Sequence, residues 1–88
     1  MRWRYAKEIV KTKITMRDLT DFLVEMVLSN PDSVLGGRKG RLIAQKEHVK
    51  EGFGKLLIRV VYEERDNERV VVSAYWARPE RYRLRSVR

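Results

Sequence analysis

Apolar and polar positions alternate most regularly across residues 55–77, KLLIRVVYEERDNERVVVSAYWA. Two runs of β-branched and aromatic residues flank a polar stretch at 63–68, the pattern of a β-hairpin. Successive side chains point to opposite faces of a strand. Leu56, Ile58, Val60 and Tyr62 are therefore expected on one face, and Leu57, Arg59, Val61 and Glu63 on the other. By the same alternation Val70, Val72, Ala74 and Trp76 share a face, opposite Val71, Ser73 and Tyr75. One face of this hairpin is apolar enough to be buried. The other mixes apolar residues with Arg59, Ser73 and Tyr75, as a face open to solvent or ligand would.

The period changes upstream. Thr15-Met16-Arg17-Asp18 has the spacing of a capping box. Leu19, Phe22, Leu23, Met26 and Val27 then follow the stripe of an amphipathic helix. Asn30-Pro31-Asp32 ends it, because the residue before a proline avoids helical geometry. Asp18, Asp21 and Glu25 read as its solvated acidic face. Before it, Ala6, Ile9 and Val10 are spaced for one face of a short helix, and residues 2–5 also suit a short strand. Residues 33–40, SVLGGRKG, read as a glycine-rich loop without phosphate-loop spacing, and residues 41–48 as a strand. After Trp76, Pro79 stops the strand or confines it to an edge. Residues 81–87 alternate as a short edge strand would. The expected fold is α+β in one domain, with a basic segment at 78–88. Two N-terminal helices pack on one face of a three- to four-stranded antiparallel sheet.

Composition narrows the chemistry. The 88 residues suit one modest core. Without cysteine and with His48 as the only histidine, there is no disulfide framework, no thiol nucleophile and no ground for a metal or other cofactor. No run approaches the roughly 20 apolar residues of a membrane span. The first ten residues also lack the apolar core of a signal peptide, so no membrane partner is expected and the expected compartment is the cytoplasm. A net charge of +8 favours polyanionic partners. The same abundance of Lys, Arg and Glu also suits thermal adaptation. The cations cluster at Arg2, Arg4, Lys7, Lys11 and Lys13, and at Arg78, Arg81, Arg83, Arg85 and Arg88. Arginines and a tyrosine so close together suit phosphate contact and base stacking, or the blunting of a sheet edge.

Several phrases together resemble one family. They are Lys13-Ile14-Thr15, Asn30-Pro31-Asp32, Gly40-Arg41-Leu42-Ile43-Ala44, the segment from Leu57 to Glu64, Val71-Val72-Ser73-Ala74-Tyr75-Trp76, and Arg81-Tyr82. The family is the one catalogued as domain of unknown function 4258, thought to share the fold of the RelE/ParE-type toxins of toxin–antitoxin pairs. The resemblance spans most of the chain and departs at one point. Family members carry a His and an Arg in the first helix, roughly where this chain has Arg4 or Tyr5 and Glu8.

The resemblance implies a metal-independent RNA endonuclease of the mRNA interferase type, directed at RNA or the ribosome and neutralised by an acidic antitoxin. Such chemistry needs a base at the ribose 2′-hydroxyl, cations at the charged phosphorane and an acid at the leaving oxygen. The candidates for catalysis are Arg59, Tyr75, Arg81 and Tyr82. Arg38, Lys39, Arg41, Lys46, Arg83 and Arg85 are candidates for RNA contact, with His48 on the same strand as Arg41 and Lys46. The alternative is a non-catalytic nucleic-acid-binding or protein-interaction module of the same fold. The oligomeric state is left open.

Overall fold

The computed structural model describes residues 2–80. Along the chain run β1 (Trp3–Tyr5), α1 (Glu8–Met16), α2 (Asp21–Ser29), β2 (Ser33–Gly36), β3 (Leu42–Lys50), β4 (Gly54–Arg65) and β5 (Glu68–Ala77), with a 3-10 turn at Arg38–Gly40. The strands form one five-stranded sheet in the order β1-β5-β4-β3-β2. β1 pairs parallel to β5, and every other pairing is antiparallel. The α+β layout matches the expectation. The sheet does not: it is mixed and wider than the three or four antiparallel strands expected.

The two extra strands are each held by residues distant in sequence. β2 lies in the expected glycine loop, and Asp32 recruits it to the edge of β3. Its backbone N–H donates to the Gln45 carbonyl (2.8 Å), and its Oδ2 accepts from the Glu47 N–H (2.8 Å). β1 is held through its side chains. The Trp3 and Tyr5 rings meet edge to face at 5.0 Å. Trp3 Nε1 donates to Glu25 Oε1 (3.2 Å) and the Tyr5 hydroxyl to Asp21 Oδ1 (2.7 Å). Asp21 and Glu25 therefore clasp β1 onto α2 instead of forming a purely solvated face.

The central hairpin is longer than its apolar runs because its turn is only Asp66-Asn67. Both residues are left-handed (φ 51 and 64), as a two-residue type I′ turn demands. Pairing slips once within it: Val61 faces Ser73, whereas Tyr62 faces Val71. Val72 is the extra residue of a β-bulge, and side chains beyond a bulge change face. Val71 therefore joins Ala74 and Trp76 on the helix side, and Val70 joins Ser73 and Tyr75 on the other. The expected grouping of Val70 and Val72 with Ala74 is overturned by this one inserted residue.

The helices also begin elsewhere than Thr15. Thr15 lies inside α1, its hydroxyl donating to the Lys11 carbonyl (2.9 Å). α1 ends in a Schellman motif. Leu19 N–H bonds the Ile14 carbonyl (3.3 Å) and Asp18 N–H the Thr15 carbonyl (3.1 Å), with Asp18 left-handed at φ 62. Thr20 is the true cap of α2, its hydroxyl accepting from the Leu23 N–H. Starting α2 at Asp21 turns Val24, Val27 and Leu28 inward, onto Ala44, Ile58, Val60 and Tyr62. Phe22, expected in the core, is 74% exposed. Among the described residues no helix is long and apolar enough to cross a membrane.

Candidate functional site

The sheet face away from the helices carries the candidate chemistry in cross-strand rows. Gln45, Arg59 and Tyr75 stand opposite one another on β3, β4 and β5. Arg59 Nη1 donates to the Tyr75 hydroxyl (3.1 Å), and its guanidinium carbon lies 5.9 Å from the Tyr75 ring centroid. The expected polar face holds both residues, and the Val72 bulge is what sets them opposite each other, since the turn's own register would put Arg59 opposite Ala74. Their access differs from expectation. Arg59 is 6% exposed, and Leu57 and Val70 on the same face are buried as well. Gln45 Oε1 is buried beside them without a hydrogen-bond partner among the described residues. A cation so enclosed is placed to hold Tyr75 and set the local potential, and is poorly placed to grip an extended phosphate chain.

Two rows further along the same face, a half-buried constellation surrounds Glu63. Arg41, one residue before β3, donates from Nε to Glu63 Oε2 at 2.9 Å. Arg65 Nη2 bonds the other carboxylate oxygen, Oε1. Hydrogen bonds from Arg41 first, then Arg65, hold the Glu63 carboxyl below the ordinary carboxylate range. Arg4 and Glu68 extend the charged row toward β1, pairing at 2.9 Å. The turn carrying Arg38 and Lys39 leads directly into Arg41, and the Gly37 N–H bonds the Arg41 carbonyl (2.7 Å) to close it. Both turn cations are exposed and make no ion pair among the described residues. Arg38, Lys39 and Arg41 thus come together, and Glu63 is the functional candidate that sequence reasoning missed. Its signal was present in the alternation, which puts Glu63 on the Arg59 face. What could not be read was the β3–β4 register that sets Arg41 beside it.

The remaining candidates scatter. Lys46 points to the helix side, opposite Ile58 in register, with Nζ 3.5 Å from Asp32 Oδ1. His48 lies on that side too, its ring 6.1 Å from the Trp76 ring. Neither shares a face with Arg59. Arg81, Tyr82, Arg83 and Arg85 lie outside the described residues. Among the described residues no group of three or more His, Asp or Glu side chains converges as a metal site.

No protein-family model, curated protein or solved structure matches the chain.

Proposed function

We propose that this chain acts on RNA as a metal-independent endonuclease of the RelE/ParE toxin type, with Glu63 as the base. The observation that supports it is the half-buried Arg41–Glu63–Arg65 constellation, which combines the two groups that cleavage through the 2′-hydroxyl requires. The Glu63 carboxylate takes the proton as the 2′-oxygen forms its bond to phosphorus. The two guanidiniums face the charge that accumulates on the phosphorane. The bond from phosphorus to the 5′-oxygen then breaks, and that oxygen takes a proton from water. The products are a 2′,3′-cyclic phosphate and a 5′-hydroxyl. Arg38 and Lys39 hold the flanking phosphates as sequence-independent contacts. Arg59 and Tyr75 pair with each other two rows away on the same face. The proposed setting is the cytoplasm, with the ribosome or mRNA as substrate and an acidic antitoxin covering the basic surface.

A second reading has its own observation. Arg59 is 6% exposed and its guanidinium is engaged with Tyr75, so this first-expected catalytic residue is not presented to a substrate. This favours an RNA-binding module that uses Arg38, Lys39 and its neighbours without cleavage. Induced expression with RNA profiling, alongside purified protein and RNA in a chelating buffer, separates the two. Growth arrest with cleaved RNA supports the endonuclease. Intact RNA with binding that weakens steeply as salt rises supports the module. Failure to bind RNA at low salt overturns both.

A further inference from the structure

The end of the sheet opposite Glu63 holds a cluster that neither reading uses. β3 and β4 are joined by a turn in which Gly52 (φ 88) and Gly54 (φ 85) bracket Phe53. Left-handed geometry at both flanking positions is what glycine permits, and it carries the Phe53 ring outward until it is 70% exposed. Lys50, the last residue of β3, reaches over that ring, with Nζ 4.8 Å from its centroid. The same Nζ lies 5.0 Å from the centroid of Trp76. Trp76 is fixed in turn, because its Nε1 donates to the Arg17 carbonyl at 2.9 Å. His48 approaches the same indole at 6.1 Å. The acid nearest Lys50 is Asp18, whose carboxylate is 3.4 Å away yet 79% exposed, a pairing too solvated to hold the ammonium firmly.

We infer that Phe53, Trp76 and Lys50 form a stacking platform for unpaired bases of a single-stranded RNA. This rests on the RNA-directed reading above and adds a second contact to it. The ring faces offer what any base can stack upon, and Lys50 supplies the charge for the adjoining phosphate. The charge favours this occupant over an apolar protein surface, since Lys50 stands over both rings and the chain's net charge is +8, with Asp18 and Glu51 as the acids alongside. An exposed phenylalanine at the tip of a glycine-bracketed turn adds little to the core. Its loss is therefore expected to be felt by the ligand and not by the fold.

The test measures binding of a short single-stranded oligoribonucleotide and of an abasic strand of equal length. Wild type, Phe53→Ala and Lys50→Ala are compared, each checked by thermal unfolding. Phe53→Ala is expected to weaken binding of the base-bearing strand by about 5- to 150-fold, the loss of one stacked base. It should leave the abasic strand and the unfolding temperature nearly unchanged, while Lys50→Ala weakens both strands. Wild-type affinity in Phe53→Ala, or an equal loss on both strands, overturns the platform while leaving RNA binding intact. A wild type that binds neither strand at low salt overturns the RNA reading itself.

Discussion

Replacing Asp18 by glycine should make this protein more stable, although it deletes a charged side chain with an ion-pair partner. Asp18 holds φ 62 between α1 and α2, where the Schellman motif turns the chain so that Leu19 and Ile14, each 1% exposed, enter the core together. A left-handed residue with a β-carbon costs about 1–2 kcal/mol, at the lower end for aspartate, which is enriched there. Glycine avoids that cost but loses about 0.5–1 kcal/mol more backbone freedom on folding. The ion pair to Lys50 spans 3.4 Å with a carboxylate 79% exposed, so its removal costs close to nothing. The net expectation is a gain of up to about 0.5 kcal/mol. For a domain of this length that corresponds to a rise in Tm of up to roughly 4 °C. Thermal unfolding followed by circular dichroism reads it directly. Asp18→Ala, which keeps the β-carbon, serves as the control and should fall at or below wild type. If glycine lowers Tm while alanine raises it, the left-handed turn is not what orients α2.

Three further outcomes follow from the packing. Leu28→Ala should cost about 2–5 kcal/mol, because Leu28 is fully buried. Phe22→Ala should stay within about 0.5 kcal/mol, and denaturant titration of the pair checks which helix face is inward. Tyr5→Phe should cost about 1 kcal/mol at neutral pH by removing the hydroxyl that donates to Asp21. Burial, then that hydrogen bond, raises the Tyr5 pKa above the ordinary tyrosine value. Its contribution is therefore complete below about pH 10 and is lost as pH rises further. Unfolding measured at neutral and strongly alkaline pH should show the gap between wild type and Tyr5→Phe closing.

The hairpin was legible because a strand period of two and β-branched runs are local signals, and Arg59 and Tyr75 came with it as polar positions, though not the register that pairs them. The bulge at Val72 was not legible. Its cause is the pairing of two strands, and one inserted residue reverses the face of everything beyond it. The Thr15–Asp18 spacing matched a cap, but Thr20 competes for the same role and has Leu23 in the required position. That five-residue displacement rotated the inferred stripe and put Phe22 in the wrong place. β1 and β2 are too short to show a period, and what holds them comes from distant residues: Glu25 and Asp21 for one, Gln45 and Glu47 for the other. Charge counts marked the chain as basic but could not show which cations were spoken for. Arg41 and Lys46 both have acids beside them, on opposite faces of the sheet.

The central claim is that Glu63, set between Arg41 and Arg65, removes the 2′-hydroxyl proton. Single-turnover RNA cleavage by wild type and Glu63→Gln, with RNA affinity measured in parallel, tests it most directly. The account predicts that Glu63→Gln loses about 10²- to 10⁴-fold in cleavage rate while still binding RNA. Because the two guanidiniums hold Glu63 ionised, the wild-type rate should stay level through neutral pH. It should fall only in acid, below the range where an ordinary carboxylate titrates. Cleavage by Glu63→Gln at the wild-type rate would contradict the account.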